Sequence, residues 1–130
     1  MKVLTIRTDK PEAEIGLFDG QKQLDYEVWR ADRELSLTIL GKIKDLLGKN
    51  SLDFDNVEGV VGFKGPGSFT GLRIGLTVAN TLAYGLKVPI VGSSDQAWIQ
   101  DGVKRLEGGE DEHVILPGYG REPHITKQKK

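Results

Sequence analysis

Cysteine is absent from this 130-residue chain. That excludes a disulfide framework, thiolate chemistry and Cys-based zinc sites together. Histidine is nearly absent as well. His113 and His124 both fall in the irregular C-terminal part, and neither has a nearby cysteine or a paired carboxylate spacing for a metal. No apolar run reaches the length of a membrane span. The net charge of -1 gives no global basic footprint for nucleic acid. Met1 to Thr5 reads as the entry to a strand rather than as a signal peptide. These absences lead to the expectation of one soluble cytoplasmic domain with no membrane role, no metal and no cofactor assigned.

Glycine, by contrast, is concentrated. Gly65, Gly67, Gly71 and Gly75 fall within eleven residues, after the apolar run Val57 to Phe63 and before an apolar segment reaching Leu86. Glycines so placed weaken a folded chain unless the backbone needs them. Strand, glycine-rich turn, helix is a layout that offers backbone N–H groups to an anion or lets two backbones approach closely. The stretch has neither the Gly-Lys-Ser/Thr of a Walker A loop nor the Gly-x-Gly-x-x-Gly of a dinucleotide fingerprint. A phosphate-binding loop and a structural turn both remain open.

Pattern predicts an α/β domain. Val3, Leu4 and Ile6 form a first strand, Ala13 to Phe18 a second, and Asp19-Gly20 turns tightly into Gln23 to Trp29. A helix follows, with Asp32 as N-cap and Gly48 just past its end. Val57 to Phe63 reads as a central buried strand, and Ser68 caps a helix running to Leu86. Val88 to Val91 forms the last strand. A third helix starts near Ser93 or Ser94, carries Ala97, Trp98 and Val103, and ends at Gly108-Gly109. The expected architecture is a five-stranded mixed sheet in the order 3-2-1-4-5. Strands 1 to 3 form an antiparallel meander, and strands 1, 4 and 5 run parallel.

Both long helices are apolar over more than the arc one sheet can cover. Leu35, Ile39, Leu40 and Ile43 line the first, with Leu37 outside that face. Leu72, Gly75, Leu76, Ala79 and Ala83 lie in the broad apolar arc of the second. Packing on the sheet and on each other is one explanation. An intermolecular contact through these nine residues, with Gly71, Gly75 and Ala79 permitting close approach, is the other.

Catalytic constellations are poor. Ser68 lacks the context of a nucleophile elbow, because Thr70 stands where that pattern needs glycine. Its roles are N-cap or hydroxyl donor to an anion. Arg73 lies one turn into the helix, placed for a phosphate, a partner carboxylate or solvent. The candidate loop is therefore Gly65, Pro66, Gly67, Ser68, Phe69, Thr70 and Gly71, with Arg73 beside it.

The string Gly65 to Gly75 resembles the signature segment of the TsaB (YeaZ) family, helper proteins in threonylcarbamoyladenosine (t6A) synthesis on tRNA. Weaker similarity runs from the first strand to Val88-Pro89-Ile90-Val91-Gly92. The resemblance implies half of a ribonuclease H-like, actin-like ATPase fold and a non-catalytic role. It implies a helix pair that joins either a second copy or TsaD, the pathway's enzyme, with a TsaE-like ATPase in the complex and tRNA engaged only indirectly. The alternative is a small actin-like ATPase or phosphotransferase using the Gly65–Gly71 loop.

Two departures from the family pattern weigh against that alternative. Arg7-Thr8-Asp9 stands where the actin-like superfamily has an acidic Asp-Thr-Ser-type loop, and Leu35-Ser36-Leu37 replaces a common His-Ser-Glu. Length is a third departure. The resemblance assigns residues 1–109 to the N-terminal α/β half. Residues 110–130 form a tail whose Pro117-x-Tyr119-x-Arg121 looks like the end of full-length members, so a miniature form is expected. Pro117 to Pro123 is expected to fold back on the domain or its partner, leaving Lys127 to Lys130 free.

Overall fold

The computed structural model describes residues 1–118. Its five strands are β1 (Lys2–Arg7), β2 (Glu12–Asp19), β3 (Lys22–Arg30), β4 (Gly59–Phe63) and β5 (Ile90–Ser93). The order is β3-β2-β1-β4-β5, as expected. β1 pairs antiparallel with β2 and parallel with β4, β2 pairs antiparallel with β3, and β4 pairs parallel with β5. The two-residue turn after Asp19 forces the meander, and Gly20 supplies its positive φ of 60°. All five residues of β4 are buried, as a central strand covered on both faces requires.

Helices α1 (Leu35–Lys49) and α2 (Phe69–Leu86) cover one face of the sheet, and α3 (Trp98–Glu107) covers part of the other. Leu4, Ile6, Ile15, Leu17, Val60 and Ile90 turn to α1 and α2. Val3, Phe18, Val61, Phe63 and Val91 turn to α3, where Trp98 meets Phe63 edge-on with centroids 5.6 Å apart. Alternation along the strands separates these two sets. No helix among the described residues is long and apolar enough to cross a membrane.

Helix boundaries depart from the sequence expectation for identifiable reasons. Asp32 is not the N-cap of α1: its carboxylate accepts from Arg30 Nε at 2.9 Å, and its φ is 46°. The chain instead enters α1 through a 3₁₀ turn, Asp32–Glu34. Gly48 lies inside the last turn, not beyond it. There Asn50 takes over, its side-chain amide donating to the Leu46 carbonyl at 2.8 Å and to Asp25 at 2.9 Å. Ser93 belongs to β5, opposite Phe63, and gives its hydroxyl to Asp101 at 2.7 Å, so it caps nothing. α3 begins at Trp98, with Ala97 outside it, and Gly108 ends it as expected.

The packing does not divide at Gly109. Ile115 is buried in the core cluster under α2, and Gly118 N donates to Lys64 O at 2.6 Å. Residues 110–118 thus lie on the domain. The expectations for Tyr119, Arg121, His124 and Lys127 to Lys130 lie outside the described residues.

Eight of the nine residues expected at an intermolecular contact are core instead. Leu35, Ile39, Ile43, Leu72, Gly75, Leu76, Ala79 and Ala83 are buried within the chain, and only Leu40 is open, half exposed. The physical reason is that α1 and α2 share one sheet face, so the inward arc of each is used by strands and by the other helix. Leu76→Asp is accordingly expected to abolish cooperative folding, not to release a folded monomer. Circular dichroism during a urea titration checks this, and a folded soluble Leu76→Asp chain would return that residue to the surface.

Candidate functional site

The glycine-rich loop faces the chain's own backbone. A Cβ on Gly67 would collide with Asp9, one on Gly71 with the Thr8 carbonyl, and one on Gly75 with the Thr8 side chain. Thr8 Oγ1 donates to the Gly71 carbonyl at 2.7 Å, and Ser68 N donates to the Asp9 carbonyl at 3.2 Å. The β1–β2 loop is therefore clamped under the first turns of α2. Ser68 is the N-cap, accepting from Gly71 N at 3.4 Å. Pro66, Gly67, Ser68, Phe69 and Thr70 remain exposed at the surface, while Gly65 and Gly71 turn inward.

The first loop is electrostatically self-contained. Arg7 donates to both carboxylate oxygens of Asp9, at 2.8 and 3.1 Å, and its guanidinium lies 3.9 Å from the Phe63 ring centroid. The hydrogen bond to Asp9 raises the Arg7 pKa above its ordinary value, against the opposing effect of burial. A charge-assisted bidentate pair of this kind holds the carboxylate away from other duties. Nearby, Tyr26 donates to Glu14 at 2.5 Å, and burial followed by that contact pushes its hydroxyl pKa up. Arg73 lies 5.3 Å from the Phe69 ring centroid, at the exposed edge of the loop. No cluster of metal-ligating side chains occurs among the described residues.

The open surface of the helix pair has a different character. Leu37 is 82% exposed and Leu40 50% exposed on α1. Between the helices runs a groove of about 320 Å³ lined by Ser36, Thr70, Arg73, Ile74, Thr77 and Val78. A second, of about 380 Å³, is lined by Leu40, Gly41, Lys44, Phe54, Leu82 and Leu86. Gly41 has no atom within 4 Å of the position a Cβ would take, so nothing inside the chain demands glycine there. Tyr84 adds an exposed aromatic ring at the far end of α2. The sequence pattern places Leu37 outside the main apolar face, and it is open here. The available signal was the pair Leu37 and Leu40, which break the inward four-residue period just before Gly41.

A family model described as TsaD, tRNA N6-adenosine threonylcarbamoyltransferase, matches residues 29–105, more than half of the chain. The tRNA threonylcarbamoyladenosine biosynthesis protein TsaB of Escherichia coli K12 is 31% identical over 109 residues, covering 83% of this chain and 46% of that protein. YeaZ from Pseudomonas aeruginosa superposes with a TM-score of 0.67 at 27% identity, over 74% of this chain and 45% of that one. The chain belongs to the TsaB/YeaZ family. RuvC of Thermus thermophilus shares the fold alone, with a TM-score of 0.52 at 14% identity over 72% of this chain and 64% of that chain. An actin-like, ribonuclease H-like fold is thus shared across the group. The chain spans about half the length of the TsaB relatives it matches.

Two α2 glycines separate structural need from tolerance. Gly75→Ala drives a methyl group into Thr8 and is expected to destabilise by about 1–3 kcal/mol, as overpacking does. Gly85→Ala enters open space and is expected to stabilise by roughly 0.5–1 kcal/mol. Paired denaturant titrations read both. Equal effects would mean that α2 does not depend on its contact with Thr8.

Proposed function

We propose that this chain is a non-catalytic partner in tRNA t6A biosynthesis, binding a TsaD-type subunit and favouring its active form. The observation that carries this reading is the apolar outer surface of α1 and α2. Leu37 and Leu40 stand exposed beside two grooves on helices whose inner arcs are already filled. Contiguous exposed apolar surface of this kind marks interaction sites. The names of the relatives support the pathway, and the chain's own kinship with the TsaD family model supports pairing with a protein of related fold.

The mechanism is conformational. A helix pair that binds the active form of the partner more tightly than the inactive one shifts its population by that difference in affinity. The same face pairs two copies when the partner is absent, since one apolar patch repeated about a two-fold axis closes on itself. A TsaE-like ATPase acts within the complex, tRNA is contacted by the partner, and the setting is the cytoplasm. Nucleotide chemistry on the Gly65–Gly71 loop has weaker support, because Asp9 is committed to Arg7 and the loop to Thr8.

Mixing the chain with the TsaD-type protein of its own organism and measuring mass in solution tests the pairing. Leu37→Glu with Leu40→Glu is expected to weaken the complex by about tenfold or more, roughly 1.4 kcal/mol. Val28→Glu, on the far strand β3, is expected to leave it unchanged. Absence of a complex with the unaltered chain, or indifference to the double substitution, would remove the proposal.

A further inference from the structure

Residues 110–118 are attached to the domain in an unusual way. They leave α3 through Gly108 and Gly109, the latter with φ 93° and no neighbour within 4 Å of its missing Cβ. They then run along the outer edge of β5 and across the sheet face beside α2. Ile90 N donates to Asp111 Oδ1 at 3.1 Å, Ile90 O accepts from Glu112 N at 2.8 Å, and Gly92 N donates to Glu112 Oε1 at 2.5 Å. Arg105 closes this clasp from α3, with Nη1 donating to Gly92 O at 2.8 Å and Nη2 bonded to Glu110 at 2.6 Å. The free edge of β5 is thereby covered largely by carboxylates and a guanidinium, not by a further strand.

Farther along, one side chain enters the domain. Ile115 is buried, while Val114 and Leu116 on either side are 61% and 75% exposed. Its place exists because Gly62 and Gly92, opposite each other in the β4–β5 register, have no Cβ. A Cβ on Gly62 would stand 2.6 Å from the Ile115 side chain, and one on Gly92 3.0 Å from it. Asn80 of α2 reads the backbone at the same residue. Its Nδ2 donates to Ile115 O and its Oδ1 accepts from Ile115 N, both at 2.9 Å. A side-chain amide here imitates the pairing of a neighbouring strand, as in β-strand addition. Recognition of backbone at Ile115, a shaped pocket for its side chain, and a basic group for the carboxylates before it are the elements that peptide recognition uses.

We propose that the channel between α2 and the β4–β5 edge is a peptide slot, filled in cis by residues 110–118. It is specific for an acidic segment that turns just after its acidic pair, as the chain does at His113 (φ 66°) after Asp111-Glu112, and that carries a β-branched residue three positions after that pair. The glycine hinge and the single buried side chain make the segment exchangeable, and its tether gives it the advantage of high effective concentration. A second chain carrying the same pattern is the competing occupant once the tethered segment is displaced. The slot lies apart from the outer α1–α2 surface, so this inference stands independently of the proposed partner.

The test uses the whole chain carrying Ile115→Asp, and a fluorescent peptide with the sequence of residues 110–118. Anisotropy should show saturable binding to this variant, at least about tenfold tighter than to the unaltered chain, whose slot is filled. Adding Asn80→Ala should abolish it. A folded Ile115→Asp chain that binds the peptide no better than the unaltered chain overturns the proposal. Should that variant unfold, hydrogen exchange on the unaltered chain decides. The Ile115 and Gly118 amides should exchange at least about tenfold faster than those of β1, reporting local opening of the segment. Exchange as slow as in β1 would make residues 110–118 part of the core and sink the slot.

Discussion

Everything about the helix layer depends on how closely α2 can approach the loop after β1. Gly67, Gly71 and Gly75 remove three side chains at the line where the helix start crosses Thr8 and Asp9, and Thr8 then bonds the Gly71 carbonyl. That contact fixes the depth of α2 on the sheet, which lets Leu76 and Ala79 join the same core cluster as Leu4 and Val60. α1 is fitted beside it, burying Ile39, Ile43 and Leu46. The glycines contribute through absent atoms. Packed interiors tolerate little change of volume, so restoring even one methyl group at Gly75 displaces a whole layer.

Charge is handled with similar economy of contact. Arg7 is held by Asp9 and Phe63, and Arg105 by Asp101, Glu110 and Glu112. The contact with Glu110 above all keeps Arg105 more firmly protonated than a free arginine, and the Ser93 hydroxyl holds the Asp101 carboxylate below its ordinary range. Such pairs fix loops to strands: Arg7 folds the β1–β2 loop back on β4, and Arg105 joins α3 to the β5 edge. A carboxylate already satisfied in this way is a poor candidate for a proton-transfer role, where geometry toward a substrate comes first.

The strand order was legible because its signals are local. Asp19-Gly20 turns the meander, and the run through Val60, Val61 and Phe63 marks a central strand. The helix caps were less legible, since a capping side chain can be claimed by a stronger partner. Asp32 goes to Arg30 and Ser93 goes to Asp101, and neither preference shows in a one-dimensional pattern. The TsaB-like glycine segment was legible as a string, but its use for close packing against Thr8 required the fold. Inward and outward arcs were confused because both are apolar. Leu35, Ile39 and Ile43 keep a strict four-residue period and face the core, whereas Leu37 and Leu40 fall off it. The slot for Ile115 was invisible, because it consists of two glycines brought side by side only by strand pairing.

These features divide the surface into regions with different physical characters. The loop after β4 is spent on positioning α2, and the edge of β5 is closed by residues 110–112. The outer face of the helix pair is where apolar groups stand open without an internal partner to satisfy, as at Leu37 and Leu40. A glycine in a helix interior lowers stability by roughly 0.5–1 kcal/mol relative to alanine, and Gly41 has no contact in this chain that requires it. The same holds for Gly48 and Gly85, which also have nothing within 4 Å of the Cβ position, so internal packing demands glycine at none of the three. Gly41 differs from those two in its place: it lines the same groove as Leu40, Leu82 and Leu86, so the cost to α1 falls on the side of the helix where apolar groups stand open.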